Sequence, residues 1–175
     1  MTALRALNRF GLGAARGEAD VLDDPRGWLE SQLDGAAPLR PAPDGSDDVA
    51  ALLRLQREAV RTDDEEARGA VQRRIVGHTG AEARDALTAR ATSTRPFVER
   101  LVAFWSNHLC VSAAAKLPTR LLAGAYEREA IRPHVLGRFE DLVLASARHP
   151  AMLTYLDNAQ SVGPASLLAR GAARR

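Results

Sequence analysis

Apolar residues recur along this chain at helical spacing and nowhere at the alternation of a strand. Phe97, Leu101, Phe104, Trp105, His108 and Leu109 fall on one helical face, as do Val49, Leu52, Leu53 and Val60, and again Phe139, Leu142, Val143 and Ala147. β-branched runs and hairpin turns are missing, so the pattern predicts an all-α fold. Composition narrows this further. Alanine supplies 33 of the 175 residues, against only eight aromatics. Alanine loses no side-chain entropy in a helix but fills little volume. Closely approaching helices around a thin core are therefore expected, as an irregular multi-helix array.

Punctuation places the elements. Asp24-Pro25 combines a capping side chain with a proline at the first helical position, and the helix it starts is expected to run through Trp28, Leu29 and Leu33 to Gly35. The Pro-, Asp- and Gly-rich stretch 36–46 reads as a loop, with Ser46 capping the next helix. Thr62-Asp63-Asp64-Glu65 reads as a capping box. The helix after it is expected to stop at Gly77, with a short alanine-rich helix over 81–91. Four further segments, 96–112, 119–132, 138–149 and 150–157, should form the better-packed half, with Pro133 kinking or ending the second of them. Residues 160–175 are expected to form a mobile tail.

Charge points to no particular partner. The 24 basic and 22 acidic residues give +2 and are interspersed, without the basic face or interleaved aromatics of a nucleic-acid binder. Only Lys116 among the basic residues is a lysine. Cys110 is the single cysteine, which rules out an internal disulfide. The N-terminus lacks the apolar run of a signal peptide, and no segment approaches the roughly 18 apolar residues of a membrane span. A cytoplasmic protein is the expectation.

The polar residues set among apolar helices are the candidates for chemistry. His108 shares its stripe with Trp105, so it is expected to face inward, as a metal ligand, a general base or simply a hydrogen-bonded core histidine. The last of these is the plainer reading, because no second ligand stands at a neighbouring helical position. Asp157 could pair with His108 or Arg132, and Asn158 beside it suits a left-handed helix end. Arg132 could hold an anionic ligand through its planar fork, although a salt bridge to Glu127, Glu129 or Asp157 explains it equally well. His149 sits at an expected helix C-terminus, where a protonated imidazole is favoured. A zinc site can be written from His108, His134, His149 and Asp157, but its spacings match no known ligand pattern. Cys110 reads as a small core residue, and the glycines of Phe10-Gly11-Leu12-Gly13 as a turn, since no strand precedes them and no Gly-Lys-Ser/Thr follows.

Three blocks carry a resemblance. The opening Leu7-Asn8-Arg9-Phe10-Gly11-Leu12-Gly13 is one. Phe104-Trp105-Ser106-Asn107-His108, followed by small residues and Lys116, is the second. The third runs from Glu129 through Ile131-Arg132-Pro133, Leu136-Gly137-Arg138-Phe139 and His149-Pro150-Ala151-Met152-Leu153 to Tyr155-Leu156-Asp157-Asn158. Together they resemble the bacterial family known as domain of unknown function 1800. The resemblance brings no activity and leaves the cofactor open. It implies a longer domain that continues into an Asn-Glu-Asn and Ala-Arg-Glu stretch, so residues 1–175 are expected to be the N-terminal helical part of one larger domain. Two functions follow as expectations. One is a helical scaffold or interaction segment whose partner is the remaining C-terminal part of the domain, or another protein. The other is half of the active site of a metal- or acid–base-dependent hydrolase, with His108, Arg132 and Asp157 as its catalytic side chains and His108 and Asp157 as its metal ligands.

Overall fold

A computed structural model describes residues 1–163 and 166–172. Among them the chain is all-helical, with ten α-helices and no strand. Three short helices come first: α1 (Ala3–Phe10), α2 (Glu18–Val21) and α3 (Pro25–Ser31). A long loop leads to α4 (Val49–Arg61) and α5 (Glu65–Thr92), then α6 (Pro96–His108) and α7 (Leu117–Tyr126). A π-helical turn (Glu127–Ile131) and a 3₁₀ turn (Arg132–His134) follow α7 directly. The chain continues through α8 (Phe139–Arg148), α9 (Pro150–Tyr155), a 3₁₀ turn (Asn158–Gln160) and α10 (Leu167–Ala172). No helix among the described residues is long and apolar enough to cross a membrane.

Several boundaries follow the sequence signals. Asp24 caps α3, accepting from the Arg26 and Gly27 amides at 3.1 and 2.9 Å, with Pro25 in the first turn. Pro133 has no N–H to bond back to Glu129, and the helix changes from α to π and 3₁₀ geometry there. Other signals are misread. α4 is capped by Asp48, not Ser46. Thr62 closes α4, its hydroxyl donating to the Glu58 carbonyl at 2.9 Å, while Asp64 alone caps α5. There is no capping box.

The largest correction is α5. It runs unbroken for 28 residues through Gly77 and Gly80, neither of which has a positive φ. Two interior glycines cost about 1 kcal/mol each relative to alanine. Packing offsets this: Val71, Ile75, His78 and Ala81 are buried along one side of the helix. The His78 ring is held at both nitrogens, Nδ1 accepting from the Asp47 amide at 3.0 Å and Nε2 donating to the Leu121 carbonyl at 2.9 Å. A helix clamped at its midpoint passes through glycines that would end it in isolation.

The core has two parts. The larger gathers Val98, Val102, Tyr126, Ala130, Ile131, Leu142 and Ala151, together with Ala37 from the loop over 36–46. The smaller joins Leu52, Val71, Ile75 and Leu121 between α4, α5 and α7. The loop is anchored rather than free, because Ala37 is buried and Arg40 pairs with Asp85 of α5. Arg95 ties the N-terminal helices to α6 by donating to the carbonyls of Gln32, Ala36 and Asp34. Within the stretch 160–175, α10 forms one short helix, and 164–165 and 173–175 lie outside the described residues.

Candidate functional site

The side chains singled out in the sequence do not come together. His108 is exposed, on the outside of α6, stacked on the Phe104 ring with centroids 5.8 Å apart. The buried face of α6 is Val98, Glu99 and Val102, rotated from the expected stripe by about one residue. Asp157 is exposed and pairs with Lys116. Arg132 is the largest fully buried side chain, paired with Glu99 through two hydrogen bonds of 2.7 and 2.8 Å. No hydrogen bond or ion pair joins any two of His108, Arg132 and Asp157. Among the described residues, no three His, Cys, Asp or Glu side chains are grouped to hold a metal ion. Cys110 is exposed rather than a core residue, and Asp157, not Asn158, takes the left-handed conformation, with φ 58°.

A seam of buried and half-buried ion pairs is present instead. It runs from α6 through the π turn to α5. Arg132 adds a 3.5 Å contact to Glu127, and Glu127 accepts from Arg90 of α5 at 2.6 Å. One residue on, Arg128 pairs with Glu82, also of α5, with both side chains nearly buried. Adjacent residues 127 and 128 both reach α5 because they meet it at two separate places, Arg90 and Glu82. Burial lowers the Arg132 pKa, but the carboxylates of Glu99 and Glu127 more than offset this and hold it above its ordinary value. The guanidinium is therefore permanently charged and works as a brace. The sequence reading named Glu127 among its partners but missed Glu99. A single Glu in the first turn of α6 looks like a partner for the helix dipole, and nothing local shows that its counter-ion lies 33 residues away.

His149 does end α8, as expected, but the protonated ring expected there is corrected. It is buried, and its Nδ1 accepts from the Ala151 amide at 3.1 Å, which makes it the N-cap of α9. Its Nε2 faces Glu129 at 3.4 Å. Burial lowers its pKa, with Glu129 opposing, so the ring stays neutral more readily than a free histidine. A protonated ring would have to turn an N–H toward the amide that it now accepts from. Beside it, the Tyr126 hydroxyl donates to the Leu109 carbonyl at 2.6 Å and meets Ser146 Oγ at 2.6 Å. Burial raises the tyrosine pKa, which makes it a poor base for activating the serine.

The outer face of α6, α8 and α9 is apolar and open. Phe104, Trp105 and Phe139 pack on one another, the ring pairs 5.0 and 5.4 Å apart, with Phe104 55% and Phe139 60% exposed. On the α8 and α9 side, Leu109, Val143, Met152, Leu153 and Leu156 line a shallow groove of about 250 Å³. The sequence reading named most of these residues but assigned Phe104 to the core.

Comparison of the chain with curated proteins and with solved structures finds no match. The family model described as protein of unknown function, DUF1800, matches residues 5–166 and so covers the buried seam and the apolar outer face alike; the chain belongs to that family.

Proposed function

We propose that this chain is a helical platform that binds a further polypeptide segment through the outer face of α6, α8 and α9. The observation behind this reading is that face itself: the ring cluster of Phe104, Trp105 and Phe139, and the groove lined in part by Leu109, four residues on from Trp105, and Val143, four on from Phe139. Contiguous exposed apolar surface of this kind marks interaction sites in proteins that stay in solution. The occupant that fits the resemblance is the rest of the same domain, with its Asn-Glu-Asn and Ala-Arg-Glu stretch. A cytoplasmic setting belongs to the same reading and suits the exposed thiol of Cys110. The alternative, half of a hydrolase site, has less behind it: Arg132, Asp157 and His108 each have separate neighbours that account for them.

Co-expression with a family segment carrying that stretch is the test. Capture by the wild-type chain, and none by the Phe104→Ser/Phe139→Ser double variant, is the expected result. Equal capture by both chains, or none by either, would overturn the proposal.

A further inference from the structure

A single residue joins α8 to α9. His149 ends α8, and its Nδ1 accepts from the Ala151 amide at 3.1 Å, which caps α9. The same two helices form most of the groove on the outer face. α8 contributes Val143, Ser146 and Ala147, and α9 contributes Met152, Leu153 and Leu156. An imidazole lone pair thus helps to hold the junction between the two walls of the groove.

The ring is buried and has a neighbour on each element around it. Nε2 faces Glu129 of the π turn at 3.4 Å. The Tyr126 ring of α7 meets it edge to face, centroids 5.3 Å apart, and the Tyr126 hydroxyl in turn holds Ser146 at the groove. Across a cavity of about 250 Å³ stand Glu82 and His78 of α5, Arg128 of the π turn and Asp47 of the loop before α4. Glu82 pairs with Arg128 and Asp47 with Arg74, so Glu129 is the carboxylate that the ring itself meets. Arg148, next to it on α8, is exposed. A neutral ring suits both of its contacts, with Nε2–H directed at Glu129 and the Nδ1 lone pair at the Ala151 amide. An imidazolium carries N–H at both nitrogens, and its Nδ1–H would confront the amide N–H. Burial between Tyr126 and Glu129 leaves the ring little room to turn, so the start of α9 has to give way.

We infer that His149 is a pH-sensitive latch on the groove: uptake of a proton releases the start of α9 from the junction and reshapes the wall made by Met152, Leu153 and Leu156. A local change of charge is thereby read out as a change of surface. In acid the outer face loses the form that its occupant fits, a consequence that rests on the platform reading, whereas the latch itself does not.

The test is methyl NMR of the full chain labelled at methionine, between neutral pH and mild acid. Met1 and Met152 are the only methionines, and Met152 lines the groove. Its methyl resonance should titrate with a midpoint below the ordinary histidine value of 6.5. His149→Asn, which caps but cannot take up the proton, should abolish that shift. His108→Asn, at an exposed position beside the groove residue Leu109, should leave it unchanged. Glu129→Gln, also at an exposed position, removes the carboxylate that favours the charged ring and should move the midpoint further down, which keeps the test open if His149→Asn fails to fold. Capture of the family segment carrying the Asn-Glu-Asn and Ala-Arg-Glu stretch should weaken by up to about tenfold per pH unit below the midpoint, and less in His149→Asn. No shift, the same shift in His149→Asn, or a midpoint that Glu129→Gln leaves in place overturns the latch. Equal capture at both ends of the titration overturns its effect on docking. A shift with the segment captured at neither end supports the latch and removes the platform, and capture without a shift does the reverse.

Discussion

Arg132 and Glu99 lie inside the molecule, 0% and 2% exposed, while Phe104 and Phe139 stand more than half in solvent. The buried seam and the outer face thus invert the usual sorting of charged and aromatic side chains. The inversion is affordable in the interior because the pair is bidentate and braced by Glu127, so little unpaired charge is left. On the outer face Phe104 and Phe139 stay more than half exposed, and Trp105 packs edge to face on Phe104 and tilted on Phe139. The lesson is that charge is held inside this molecule by its own counter-charges, while aromatic surface is left outside.

Removing one partner of the buried pair is the harshest way to break the comparison. Glu99→Ala leaves Arg132 uncompensated and should cost about 3–5 kcal/mol in urea unfolding. The double variant Glu99→Leu/Arg132→Met should recover most of that loss, since a well-packed apolar pair can replace a buried ion pair. A cost near zero for Glu99→Ala would mean that water reaches the seam. A smaller loss is expected for Gly124→Ala, where the new methyl displaces the Glu82 carboxylate from Arg128. Overpacking of this kind costs about 1–3 kcal/mol, again read by denaturant.

His149 sharpens the contrast through pH. Its folded pKa lies below the ordinary value of 6.5, so the unfolded chain takes up the proton first. It has no effect on stability well above pH 6.5. As the pH falls through that value a penalty grows, and it levels off once the folded ring also protonates beside Glu129, Tyr126 and the Ala151 amide. His149→Asn keeps a capping side chain for α9 but cannot titrate. Its stability should therefore fall less between pH 7.5 and acid than the wild type's, as followed by thermal melts.

The smallest effect on stability belongs to the outer face. Phe104→Ser/Phe139→Ser should change unfolding free energy by no more than about 0.5 kcal/mol, yet lower the binding of a hydrophobic dye by the folded chain. A large loss of stability would show that the rings belong to the core after all.

Much of the scaffold was legible in the sequence, and much of the candidate site was not. The absence of strands, the start at Asp24-Pro25, the disturbance at Pro133 and the break between α8 and α9 at Pro150 each rest on local chemistry. The continuation of α5 through Gly77 was hidden because it depends on Asp47 and Leu121 holding His78. His78 completes the series Val71, Ile75, His78, and that spacing was the one available signal for it. The inward reading of His108 failed through a rotation of about one residue in α6, which periodicity resolves poorly when Val98 and Val102 compete with Phe104 and Leu101 for the core.

The sequence by itself determined that this chain is helical, roughly where its helices begin, and that it belongs with DUF1800, because propensity, caps and motifs act over a few residues. Only the tertiary structure decided which charges are buried, which histidine caps a helix and which aromatic rings face outward. Those outcomes depend on partners such as Glu99 for Arg132, Glu82 for Arg128 and Arg90 for Glu127, tens of residues away. Burial of a charge is favourable only when its counter-charge arrives with it, and that is a property of the packed molecule.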